Sequence, residues 1–155
     1  MTFLPKEIYS KAHECLPIVC VDIVVVSDNK SILLIKRKQE PAKGQWWFPG
    51  GRLLKYEKPT EAVSRIMKSE TNLELAESAS LGISETRFNA DPFNHGSGTH
   101  TINFLYAAKP KMISLFNLIL DDNHSEFNWV GPDEIYSGQY DNYIKRFTAI
   151  SEGVF

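Results

Sequence analysis

Runs of apolar residues, broken by polar turn formers, divide the chain into a series of short strands and helices. Residues 3–16, FLPKEIYSKAHECL, carry apolar side chains at roughly helical spacing and predict an N-terminal helix. His13 within it reads as a surface or packing residue. Residues 18–26 are rich in Val and Ile and read as a strand buried on both faces. Ser27-Asp28-Asn29-Lys30 supplies hairpin turn residues, and 32–37, ILLIKR, returns as the second strand. Residues 39–44 form a polar loop and 46–48 a short aromatic strand. Two more strands are expected at 79–88 and 99–108, joined by the turn-rich loop NADPFNHGSG. Residues 112–120 are apolar and read as strand or irregular, 121–126 (DDNHSE) as a polar loop, and 127–130 as a strand. A helical turn starting at Pro132 and an amphipathic helix over 140–150 close the chain.

Between the aromatic strand and the fifth apolar run lies GGRLLKYEKPTEAVSRIMKSETNL, residues 50–73. Pro59 and Thr60 predict the opening of a helix, because a proline costs no hydrogen bond in the first turn. That helix carries Arg65 and Glu70 and ends near Asn72, a residue that tolerates the left-handed conformation of a helix cap.

Composition narrows the class. The 155 residues are 43% hydrophobic and 23% charged, ordinary values for one globular domain spanning 1–155. A net charge of −2 gives no electrostatic reason to expect nucleic acid or an anionic membrane as partner. The longest apolar run, PIVCVDIVVV, is too short to cross a bilayer and is interrupted by Asp22. Cys15 and Cys20 lack metal or redox spacing and read as buried thiols in a reducing compartment, so a cytoplasmic location is expected.

The central stretch resembles the Nudix box: glycine, five residues, glutamate, seven residues, then Arg-Glu-apolar-any-Glu-Glu-any-Gly-apolar. Gly51, Glu57, Arg65, Met67, Glu70 and Leu73 match; Ile66, Ser69 and Asn72 do not. The resemblance implies an α+β Nudix fold, a mixed β-sheet sandwiched between α-helices. Residues three and four apart share a helix face, so glutamates at 66, 69 and 70 would cluster and hold more than one Mg²⁺. Here one carboxylate remains. Glu70 with a backbone carbonyl and a neutral oxygen suits a single Mg²⁺; an isolated Glu70 would be a solvent-facing helix residue. Glu57 and Arg65 form a structural pair in either reading.

With the box carboxylates gone, His124 is the best candidate base, since a loop histidine titrates near neutral pH; a solvated loop histidine is the plain alternative. Asp22, inside an apolar strand, must meet a partner, a metal or a ligand. Pairing with an arginine and contact with a sugar both remain open. These features resemble the GDP-mannose mannosyl hydrolase branch of the Nudix superfamily. The likeness rests on Asp22, Lys36-Arg37, Trp46 to Arg52, the degenerate box and His124 before an aromatic strand. It implies Mg²⁺ held by the Gly50 carbonyl and Glu70, with Asn123 standing where the branch has a glutamine ligand. It further implies diphosphate contacts from Arg37 and Arg52, sugar contact by Asp22, His124 as general base, Gly51 supporting the box, and a homodimer. Water then attacks the anomeric carbon of a nucleotide sugar, and the well-neutralised diphosphate leaves without a second carboxyl acid. The alternatives are a pyrophosphohydrolase attacking phosphorus and a non-catalytic nucleotide-sugar-binding domain.

Overall fold

The computed structural model describes residues 4–155, apart from the side chains of residues 113 and 114. Phe3, where the predicted first helix begins, lies outside this range; the helix itself, α1, spans Lys6–Cys15. Strands follow at Ile18–Val25 (β1), Ile32–Arg37 (β2), Trp46–Trp47 (β3) and Gly50–Arg52 (β4). After the helix Pro59–Thr71 (α2) come Leu75–Phe88 (β5), Thr99–Pro110 (β6) and a 3₁₀ helix, Met112–Asn117. His124–Val130 (β7), Pro132–Ser137 (α3) and Asn142–Ser151 (α4) complete the chain. The α+β architecture expected from the sequence is present: two sheets flanked by helices.

The topology departs from the expected β1–β2 hairpin. β1 pairs antiparallel with β4 and parallel with β6, in a four-stranded sheet ordered β4-β1-β6-β5. With both edges of β1 occupied, β2 joins a separate sheet, β3-β2-β7, and an isolated Val26–Ile32 bridge just past the end of β1 links the two runs. The fifth strand begins at Leu75 rather than 79, because residues 75–79 pair with the end of β6. The stretch 112–120 opens with a 3₁₀ helix rather than a strand. Two expectations about cysteine and burial also change. Cys15 is exposed, lying at the solvent end of α1. β1 is buried on both faces only from Val21 onward; Val19 is exposed.

Side-chain alternation along β1 builds two cores. Val21, Ile23 and Val25 pack with Ala62, Val63, Ile66 and Met67 of α2. Val24 and Val26 face the other way, against Leu34, Phe48, Leu105 and the α4 residues Ile144 and Phe147. Asp22 belongs to the second face by the period-two rule, so it sits at the edge of that core rather than under α2.

α2 begins as its sequence dictates. Pro59 occupies the first turn, and Glu61 accepts the Lys58 N–H at 2.9 Å, satisfying one orphan donor. It ends at Asn72, whose φ of 58° and ψ of 8° give the left-handed cap where the box pattern has glycine. Ile66, which stands at a glutamate position of the box, is fully buried in this helix face. Replacing it with alanine should therefore cost about 2–4 kcal/mol in denaturant unfolding, although alanine is the better helix former.

Candidate active site

The face of β1 that carries Val24 and Val26 runs on to Asp22 and Cys20, past the core residues Ile144 and Phe147 of α4, and there opens into a cleft. The neighbouring strands present Thr101 and Asn103 (β6) and Thr86 (β5) to the same space. Gly50 lies opposite Asp22 across the β1–β4 pair. A Cβ at Gly50 would overlap Asp22 Oδ1 and approach the Val21 carbonyl at 3.1 Å, so this position must be glycine to leave the carboxylate room. Gly51 is less demanding: a Cβ there would meet Ile66 at an ordinary 3.6 Å.

Asp22 is buried, and burial pushes its carboxyl up to about 6. Its partner is a phenol and not an arginine: Tyr143 Oη donates to Oδ2 at 2.6 Å. Arg37 contributes only at longer range, opposing the upward shift.

α2 holds β4 at two points. Arg65 donates to the Arg52 carbonyl at 3.0 Å, and the Gly50 N–H donates to Glu70 Oε2 at 3.0 Å. Five helical residues rise about 7.5 Å and two strand residues about 6.7 Å, so the helix and strand keep step over this span. Glu57 anchors the connecting loop: it receives Arg65 Nε at 2.5 Å, Arg65 Nη2 at 2.8 Å and the Leu54 N–H at 3.0 Å. These charge-assisted bonds hold its carboxyl below the usual range despite burial.

Glu70 behaves in the opposite way. Burial pushes its carboxyl up to about 8; the Gly50 N–H and Arg37 oppose this, while Asp121 and Asp22 add to it. A carboxylate pressed by two others, with one N–H bonded to it, has the charge surplus that a divalent cation relieves. Among the described residues no three His, Cys, Asp or Glu side chains are grouped to hold a metal without help. Glu70 would hold a divalent cation with water and substrate oxygens completing its shell.

His124 is not in a mobile loop. It opens β7, pairs with Arg37 of β2 and is buried. Its Nδ1 lies 2.6 Å from Asp121 Oδ1. An ionised carboxylate only accepts, so Nδ1 carries the hydrogen and Nε2 is left with a lone pair. Burial lowers the imidazole's affinity for a proton, and Asp121 opposes that shift. Asp121 is itself tied to α2, its N–H donating to the Glu70 carbonyl at 3.1 Å. Asn123 is exposed, and its Nδ2 donates to Asp121 Oδ2 at 3.1 Å, fixing the amide with its oxygen turned away from that bond.

Arg37 is half-buried at the end of β2, its Nε donating to the Pro41 carbonyl at 2.7 Å. Arg52 stacks its guanidinium on Tyr9, 4.2 Å from the ring centroid. Tyr9 comes from α1, together with His13, which is buried edge-on against Tyr9 and Phe93. The cleft has two lobes. The deep one holds Asp22, Asn103 and Arg52; the outer one holds Glu70, Asn123 and His124; Arg37, Gly50, Tyr9 and His13 line both. Sequence reasoning missed Asp121, Tyr9 and Tyr143. Asp121 left a signal, a carboxylate three residues before His124. Tyr143 left none, lying 121 residues from its partner.

Known proteins resemble this chain in sequence and in fold. The NUDIX domain model matches residues 16–149. The chain is 27% identical over 146 residues to the low-salt glycan biosynthesis protein Agl8 of Haloferax volcanii, covering 94% of this chain and 89% of that protein. It is 43% identical over 79 residues to the ADP-ribose pyrophosphatase of Methanocaldococcus jannaschii, covering 51% of this chain and 46% of that protein. The crystal structure of a MutT protein from Methanosarcina mazei shares the fold, with a TM-score of 0.68 at 20% identity over 86% of this chain and 91% of the other. With its box folded into one strand-and-helix unit and a family model spanning most of its length, this chain belongs to the Nudix hydrolase family.

Proposed function

We propose that the domain is a Mg²⁺-dependent hydrolase of nucleotide sugars, acting on GDP-mannose or a related GDP-hexose by water attack at the anomeric carbon. The observation that carries this reading is the Asp121–His124 pair. Of the three clustered glutamate positions of the box the helix keeps Glu70, and a histidine oriented by a carboxylate stands outside the box in the same outer lobe. His124 Nε2 takes a proton from water as the water oxygen bonds to the anomeric carbon. The C–O bond to the diphosphate breaks, its electron pair leaving on the diphosphate oxygen. Arg37 and Arg52 bind the diphosphate, and Asp22 accepts a sugar hydroxyl in the deep lobe. Glu70, the Gly50 carbonyl and the Asn123 amide oxygen would hold Mg²⁺, which supplies charge neutralisation to the leaving group. The two lobes meeting at Arg37 and Gly50 suit a substrate whose two halves are joined by a diphosphate.

A second reading is hydrolysis at phosphorus, favoured by the similarity to the Methanocaldococcus pyrophosphatase over half the chain. Turnover of GDP-mannose, GDP-glucose, ADP-ribose and nucleoside triphosphates in H₂¹⁸O decides between them. The label is expected on the free sugar; label on phosphate would establish the second reading. Binding without turnover would instead support a non-catalytic domain.

Two further outcomes are expected. His124→Gln should lower kcat by about a hundredfold or more with little change in nucleotide affinity; an unchanged kcat removes His124 from the mechanism. The second concerns Glu70, whose carboxyl titrates near 8 in the folded chain against an ordinary value near 4.5. Between those values the folded state holds a proton that the unfolded state has lost. The metal-free protein should therefore lose thermal stability as pH rises from about 4.5 to about 8. Mg²⁺ should raise Tm more at pH 8 than at pH 5.5, and Glu70→Gln should flatten both trends.

A further inference from the structure

α4 has no part in the box, yet its first turn reaches the cleft. The helix is capped by Asp141, which accepts the Tyr143 N–H at 2.8 Å, and this fixes where Tyr143 leaves the backbone. Ile144 and Phe147 of the same helix are buried in the core, while Tyr143 stands at its border. The tyrosine ring stacks on Trp47 (5.3 Å between centroids, 10° between planes) and meets Phe147 edge-on at 5.0 Å. The ring is therefore held on two sides, and only the hydroxyl reaches the cleft. Asn103, a buried residue on β6, lines the same lobe as Asp22. Asn103 is held in turn by Thr86 Oγ1 at 3.4 Å, and Thr86 by Thr101 at 2.6 Å. The phenol gives its hydrogen to Asp22 Oδ2, 2.6 Å away.

The identity of this partner matters. An arginine would have engaged both carboxylate oxygens through its two-pronged fork. The phenol engages one. Asp22 Oδ1 takes no hydrogen bond among the described residues and lies in the space that Gly50 leaves by lacking a Cβ. With no donor on it and room beside it, Oδ1 is placed to accept a hydroxyl arriving in the deep lobe. We propose that Tyr143 is a positioning residue, holding Asp22 by one oxygen so that the other accepts a substrate sugar hydroxyl. The proposal rests on the nucleotide-sugar reading above, and it assigns the specificity of the deep lobe to the C-terminal helix, outside the box.

The test compares binding of GDP-mannose and GDP, measured by calorimetry without divalent cation, in the wild type, Tyr143→Phe, Asp22→Asn and the double variant. The wild type should bind GDP-mannose more tightly than GDP. Tyr143→Phe keeps the ring and its stacking, so Tm and GDP affinity should change little. It should lose about tenfold in GDP-mannose affinity and in kcat/KM with Mg²⁺. Adding it to Asp22→Asn should change either quantity by less than about twofold, because the two residues act as one unit. Retention of the sugar preference in Tyr143→Phe, additive losses, or a parallel loss of GDP binding and Tm would each overturn the role of Tyr143. A wild type that binds GDP-mannose no better than GDP would overturn the nucleotide-sugar reading and this proposal together.

Discussion

The site depends on the buried carboxylate of Glu57. Three donors converge on it, two from Arg65 and one from the Leu54 backbone, and Arg65 also reaches the Arg52 carbonyl. This one cluster ties the loop to α2 and α2 to β4. Once β4 lies along the helix, the Gly50 N–H meets Glu70, and Gly50 faces Asp22 across the sheet. A single ion pair thus fixes the distance between α2, which carries Glu70, and β4, which carries Gly50. Pairs of this kind contribute modestly to net stability, because desolvation offsets much of their attraction. Their value here is geometric.

A second constraint is that one sheet face serves two purposes. Along β1, Val24 and Val26 pack in the core with Ile144 and Phe147 of α4, whereas Asp22 meets that helix at the Tyr143 hydroxyl and lines the cleft with Cys20. β6 repeats the division, with Leu105 in the core and Asn103 and Thr101 in the cleft. The site is therefore an uncovered extension of the core, and its walls are as rigid as the strands that carry them. Asp22 marks the border, which explains how a carboxylate comes to stand inside an apolar run.

Much of this was legible from residue patterns. Helical spacing, Pro59 and Asn72 located α2 within a residue, and the spacing of Gly51, Glu57 and Arg65 announced their association. Those relations are local, or tied to one motif of fixed length. The hairpin reading of β1 and β2 failed because turn residues specify that a chain reverses, not which edge each strand finds. Here β4 and β6 take the two edges of β1. His124 was singled out as a candidate base but was assigned to a loop. Its burial follows from pairing between β7 and β2, which periodicity in DDNHSE does not reveal.

By itself the sequence determined the class of fold, the box unit and the loss of its second and third carboxylates. These follow from local propensities and spacings that a helix and a glycine loop convert directly into geometry. Only the tertiary structure decided what Asp22 touches, how His124 is oriented and that α1 and α4 reach the cleft. Each of those depends on which distant elements share a face, and that is set by packing between sheets and helices rather than by any run of neighbouring residues.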